Sequence, residues 1–206
     1  MKEFIEQLTK EKKITIIKKP VSKNLDVAGI MAKMQDKPII FENIKENSGW
    51  RIVANLFSTR DLIAKYFGIQ RHSLVSFLMK AINSPKKPDL INGQAPCQEI
   101  VEESVDLDKL PILFHAPKDG GNYVSSGIVI AQDKEYGRNC AFHRLMQIGK
   151  NKFAIRLLPR HTYKFLERAG GEMDVAVVIG NGLNISLASA ISVDIGVDEL
   201  GIAHAL

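Results

Sequence analysis

Cysteine is nearly absent: Cys97 and Cys140 stand alone in 206 residues, far apart and with no CxxC pair. That excludes a disulfide scaffold and a thiolate zinc site, and it suits a reducing compartment. No uncharged run nears the ~20 residues that span a bilayer, so no stable membrane insertion is expected. The opening MKEFIEQLTKEKK has neither an apolar h-region nor a small-residue cleavage site. No signal peptide is therefore expected, and a cytoplasmic location is predicted. Internal repeats and low-complexity tracts are missing too. What is present is a globular balance of 45% hydrophobic and 25% charged residues, with a net charge of +5. Such a chain can bury a core without staples, as one larger domain or two small ones. The small basic excess suits an anionic ligand and is weak evidence for nucleic acid.

Hydrophobic periodicity divides the chain. Phe4, Ile5 and Leu8 form a helical stripe, and Ile14–Ile17 is a β-branched strand closed by Pro20. Leu25–Met34 is amphipathic, with Asn24 as its expected N-cap. Pro38–Glu42 and Arg51–Leu56 are expected strands, followed by a helix capped at Ser58-Thr59 and another over Leu74–Ile82. Ser84–Pro96 holds three prolines and a glycine and is the best linker. Beyond it, β segments are expected at Glu99–Val105, Val124–Ala131, His143–Gly149 and Phe153–Leu158, with an extended Pro-rich stretch at Leu110–His115. A helix over Thr162–Ala169 is ended by Gly170-Gly171. Val175–Ile179 has the unbroken apolar run of a strand buried on both faces. Val197–Leu206 is an amphipathic helix that stops without a C-cap glycine or polar tail, as though interrupted. The expected division is an N-terminal α/β domain over 1–90 and a β-dominated unit over 91–206.

Between Arg138 and Arg168 stand eight Lys/Arg residues and a single acid, Glu167. The lysines of the Gly149–Lys152 turn are explained by solvation. Arg144 and Arg156 differ, because they alternate with apolar residues of β-type segments, where a guanidinium is costly unless paired or facing a ligand. A simple hairpin about Lys150-Asn151 pairs Arg144 with Leu157 and Leu145 with Arg156. The two arginines then face opposite sides of the sheet unless a bulge intervenes. Asn139 and His161 are neutral donors to a hard or borderline cation, whose shell phosphate oxygens could complete.

Here the residues reach a resemblance. Ile39–Asn43 (IIFEN), Asn55–Thr59 (NLFST), Leu110–Ile112 (LPI) and the ordered block from Tyr123 through His161 resemble the front part of the UbiD-type carboxy-lyases. These are reversible decarboxylases that use prenylated FMN. The resemblance implies an α/β (α+β) chain: a small N-terminal domain followed by part of a split β-barrel, flavin-reductase-like, that binds the flavin. It implies that Asn139 and His161 bind a divalent metal, manganese in the family, beside the cofactor phosphate, with K⁺ as a further cation. Phe142, His143 and Arg144 fall on the segment that wraps the flavin, and Arg144 also matches the arginine that contacts the substrate carboxylate. Arg156, Leu157 and Leu158 fall on the second cofactor strand, and His161 and Thr162 close the phosphate and metal site. The implied substrate is an aromatic or α,β-unsaturated carboxylic acid, of the polyprenyl-hydroxybenzoate type or a phosphorylated isoprenoid precursor. The implied partners are a flavin prenyltransferase that supplies the cofactor and, in the full-length form, further copies of the chain.

The family glutamate that completes the metal shell has no evident counterpart before Leu206. Asp194, Asp198 and Glu199 are expected in a surface-type helix start. Two other readings stand beside decarboxylation. One is a truncated, non-catalytic homologue that serves as subunit or scaffold; the other is a nucleic-acid-binding module on the basic hairpin. The second is poorly supplied with stacking platforms, since Phe142, Phe153 and Tyr163 are its only aromatics.

Overall fold

The computed structural model describes residues 1–206 and contains three small sheets and seven α-helices. The first half runs α1 (Lys2–Lys10), β1 (Thr15–Ile17), α2 (Asp26–Lys33), β2 (Ile39–Phe41), β3 (Ile52–Ala54), α3 (Arg60–Phe67) and α4 (Leu74–Asn83). β1 pairs with β2 in parallel through the α2 crossover, and β3 joins the other edge antiparallel. The middle strand is buried at every residue because both of its faces are covered. Ile39 and Phe41 pack with Val21, Val27 and Ile44 on one face. Ile40 packs with Phe4, Leu8 and Leu56 on the other. The period-2 alternation of a strand thus distributes one apolar run between two cores. Thr59 caps α3 as expected, its side chain accepting from the Leu62 amide, and Gly68 ends the helix at φ 66°.

Asn24 does not cap α2. Leu25 holds that position at φ 68°, and Asn24 instead bridges to Phe114 of the second half. Tertiary pairing has taken the residue that local propensity assigned to the cap.

The second half runs β4 (Tyr123–Val124), β5 (Ile128–Asp133), β6 (Gly137–Phe142), β7 (Leu145–Gly149), β8 (Lys152–Ile155), α5 (His161–Arg168), β9 (Val175–Val178), α6 (Leu183–Ala188) and α7 (Glu199–Ala205). Its strands form two antiparallel sheets, β4-β7-β8 and β6-β5-β9. They share a core of Leu107, Ile112, Val124, Val129 and Leu145. The single strand expected over Val124–Ala131 is two strands in different sheets, broken at Ser125–Gly127. The strand expected at Glu99–Val105 is absent: the segment is irregular, and Ile100 and Val101 are 83% and 72% exposed. β-branched residues make a strand only where an edge is available to pair with. β9 is present but is not buried on both faces; it pairs with β5 alone and leaves Val175 and Val177 half exposed.

α7 ties the halves together. Ile202 and Ala203 pack with Ala81 of α4 and Ala188 of α6. Its Gly201 lies so close to the first residues of the linker that an added Cβ would sit 3.3 Å from the Lys86 carbonyl oxygen. No helix is long and apolar enough to cross a membrane.

Candidate active site

A cavity of about 980 Å³ opens between β6, the chain just after β8, the N-terminus of α5, the 189–193 loop and the start of α7. Every site residue expected from the sequence lines it except Leu157: Asn139, Phe142, His143, Arg144, Arg156, Leu158, His161 and Thr162.

The two arginines reach one cavity because of a bulge. β7 pairs with β8 as Leu145↔Ile155, Met146↔Ala154 and Gln147↔Phe153, then slips by one residue to Gly149↔Lys152. The simple-hairpin register is therefore off by one, and Arg144 and Arg156 fall opposite each other just beyond the paired residues. An extra residue on one strand flips every side chain past it to the other face. Neither arginine takes part in an ion pair, and Arg144 lies over the Tyr123 ring at 5.9 Å. Other cations of this basic run are matched: Arg138 with Asp198 at 2.7 Å, and Arg168 with Asp133 at 2.9 Å and Glu135 at 2.6 Å. Three of the run's eight cations, Arg138, Lys150 and Arg168, are thus matched by acids from outside it. Of the five left without an ion pair, Arg144, Arg156 and Arg160 line the cavity, while Lys152 is exposed on the turn and Lys164 lies over the Tyr136 ring.

Asn139 sits on β6, opposite Ala131, and is 4% exposed. Its Nδ2 donates to Thr162 Oγ1 at 3.1 Å, so its Oδ1 faces His161 Nδ1 at 3.2 Å. Metal–ligand bonds of about 2.1–2.2 Å set adjacent octahedral ligands about 3.0–3.1 Å apart. The Asn139–His161 edge has that span. His161 is the first residue of α5, and the far end of this helix is held down firmly. Phe165 is buried and stacks on Tyr136, while Lys164 and Arg168 flank the same ring at 4.6 and 4.9 Å.

Glu199 does begin a helix, α7, but not at the surface where it was expected. It is 3% exposed, lines the cavity, and its Oε2 accepts from the Cys140 amide at 2.9 Å. Packing of α7 against β6 buries it beside the residue that follows Asn139. Burial raises its carboxyl pKa, with the Asp198 charge adding to that, while the Cys140 amide bond works the other way. The Cys140 thiol, also buried, is pushed up to about 12, which makes it an inert core group. Ser189 lines the same cavity, and its buried hydroxyl has no partner within the protein. Nothing in the local sequence marks Glu199 or Ser189 as site residues.

Two small sheets close on a shared core and bring a carboxylate, an amide and an imidazole onto one cavity beside arginines that have no ion pair. Comparison with known proteins gives this arrangement its family. The family model for the 3-octaprenyl-4-hydroxybenzoate carboxy-lyase N-terminal domain matches residues 5–82, and that for the Rift-related domain of the same carboxy-lyases matches residues 89–206. The chain belongs to the UbiD family. The anhydromevalonate phosphate decarboxylase of Methanosarcina mazei is 35% identical over 199 residues, which is 95% of this chain and 46% of that protein. The namesake enzyme of Methanothermobacter thermautotrophicus is 30% identical across 99% of this chain and 48% of its own length. Among solved structures, an evolved dimeric form of the UbiD-class enzyme HmfF from Pelotomaculum thermopropionicum, in complex with prFMN, superposes with a TM-score of 0.92 at 32% identity. That match covers 99% of this chain and 49% of HmfF. The chain thus spans about half the length of the relatives it matches.

Proposed function

We propose that this chain supplies the cation- and phosphate-binding wall of a prenylated-FMN-dependent decarboxylase. The observation that carries the reading is the convergence of Asn139, His161 and Glu199 on one cavity with Arg144, Arg156 and Arg160, none of which has an ion pair. The donor set fits the groups. One carboxylate, one amide oxygen and one imidazole suit a divalent cation that accepts oxygen and nitrogen donors, manganese among them. The uncompensated charge of Arg144 and Arg156 and the orphaned Ser189 hydroxyl suit a phosphate-bearing cofactor. K⁺ and cytoplasmic location belong to the same reading, as do self-association, supply of the cofactor by a flavin prenyltransferase, and two domains meeting near residue 90.

Bound prenylated FMN supplies the electron sink for loss of CO₂. The protein's part is to hold and orient. Asn139, His161 and Glu199 would hold a divalent cation, which would supply positive charge for the cofactor phosphate. Arg144 presents a planar fork to the substrate carboxylate and keeps it ionised before it leaves. Phe142 and Leu158 line the cavity beside these polar groups. The substrate is an unsaturated or aromatic carboxylic acid. A phosphorylated one is favoured by the names of the methanogen relatives and by the second arginine.

FMN serves as the probe. The chain titrated with FMN is expected to quench flavin fluorescence, more tightly with Mn²⁺ than with chelator, and Asn139→Ala or His161→Ala is expected to remove the Mn²⁺ dependence. Equal FMN affinity with and without Mn²⁺ would overturn the reading. A second reading, a subunit working with a separate polypeptide, rests on Val175 and Val177, two exposed apolar residues on one face of β9. Co-purification with a separately encoded chain equivalent to the relatives' second half would establish it.

A further inference from the structure

A carboxamide is nearly symmetric in shape, yet only its oxygen can face a cation. Some group must therefore decide which way Asn139 points. The structure offers one: Thr162 Oγ1 lies 3.1 Å from Asn139 Nδ2 and 3.1 Å from His143 Nε2. Thr162 is 5% exposed, so water does not compete for its hydroxyl.

A hydroxyl carries one proton. If His143 presents a bare Nε2, the Thr162 proton goes to it, and Thr162 Oγ1 is left as an acceptor toward Asn139. The amide must then turn Nδ2 inward and Oδ1 toward His161 and the cavity. Burial lowers the His143 pKa and so favours the neutral ring, whose tautomer with the proton on Nδ1 has a bare Nε2. With that tautomer the residues form one directed chain: Asn139 donates to Thr162, and Thr162 donates to His143. The last acceptor fixes the direction of every bond before it.

We propose that Thr162 and His143 are positioning residues which, resting on the cation reading above, set the Asn139 amide oxygen toward the cation. Thr162 touches neither cation nor substrate in this scheme, and His143 acts two bonds away. Outer groups that orient a ligand typically alter metal affinity by about 10–100-fold when removed.

The test is Mn²⁺ affinity of the 206-residue chain, read from the free Mn²⁺ signal in electron paramagnetic resonance, in a double-mutant cycle. Thr162→Val keeps the shape and removes the hydroxyl. It is expected to weaken Mn²⁺ binding by about 10–100-fold. Thr162→Ser, which keeps the hydroxyl, is expected to stay within about threefold of the parent. His143→Phe, which removes only the final acceptor, is expected to fall between them. The decisive arm is Asn139→Asp, whose two oxygens are equivalent and need no orienting. In that background Thr162→Val is expected to change Mn²⁺ affinity by less than about threefold. Equal weakening by Thr162→Val in both backgrounds would show a merely structural role, and no weakening in the parent would show no role; either overturns the proposal. If the unaltered chain bound no Mn²⁺, the cation reading itself would fail, a result distinct from both.

Discussion

Glu199→Gln is expected to make the metal-free chain more stable at neutral pH while destroying its cation site. The glutamate is 3% exposed and has one amide donor, from Cys140 at 2.9 Å, for two oxygens. Removing a buried charge of this kind gains about 2–3 kcal/mol. Against that, Gln loses the charge assistance of the Cys140 bond, about 1 kcal/mol. It also loses the favourable position of a carboxylate in the first turn of α7, up to about 1 kcal/mol. The net gain is about 1 kcal/mol, or about 2–4 °C in Tm for a chain of this size. The pH dependence has a definite sign. The Glu199 pKa is raised in the folded state, so its stabilising contribution is complete below the ordinary carboxylate value and is lost as pH rises through the raised one. In chelator, parent stability should therefore fall from mildly acidic to neutral pH by more than that of Glu199→Gln. Mn²⁺ at 100 times its Kd should restore the parent by about 2.7 kcal/mol and leave the variant unchanged. Differential scanning fluorimetry at several pH values, with and without Mn²⁺, reads all of this. A lower Tm for Glu199→Gln than for the parent in chelator at neutral pH would refute the reasoning and make the carboxylate a structural cap.

Other outcomes follow from the same geometry. Phe165→Ala should cost about 3–5 kcal/mol in urea unfolding, because it removes the ring that docks α5 on the sheet, and it should weaken Mn²⁺ binding through His161. Arg168→Met should flatten the acid limb of stability. Arg168, with the Tyr136 and Glu135 amides, lowers Asp133 from the ordinary 3.8 to about 2, so the stability from that pair is present above 3.8 and vanishes as pH falls toward 2. A pH titration of chemical unfolding between those limits checks it. Arg144→Met and Arg156→Met should each reduce FMN affinity roughly tenfold, which corresponds to about 1.4 kcal/mol of binding free energy for each guanidinium removed. The double variant should fall short of the sum, since both side chains reach the same cavity.

Much of this was legible in the sequence, and the illegible parts share a cause. β2 declares itself through Ile39–Phe41, and Thr59 declares the start of α3, because strand alternation and capping are local. Asn139, Arg144 and His161 could be picked out by the resemblance of their ordered block to a known family, and not by spacing alone. The side on which Arg156 emerges could not, for it depends on a one-residue bulge at Ile148 that the Gly149–Lys152 turn does not signal. Glu199 resembles a surface acid because VDELG is an ordinary helix start. Its burial comes from packing on Cys140, fifty-nine positions earlier in the chain. The apolar run Val175–Ile179 promised a doubly covered strand, yet cover depends on neighbours, and β9 has one. Glu99–Val105 failed as a strand for the same reason. In each case local chemistry determined what a segment is able to do, and distant segments decided whether it did so.

If the proposed site is right, Asn139, His161 and Glu199 hold one divalent cation. Crystals of the chain soaked in Mn²⁺ and measured at the manganese absorption edge test it most directly. A single strong anomalous peak is expected within bonding distance, about 2.1–2.3 Å, of Asn139 Oδ1, a His161 ring nitrogen and a Glu199 carboxylate oxygen. No peak in that cavity at millimolar Mn²⁺, or one bonded to other residues, would contradict it.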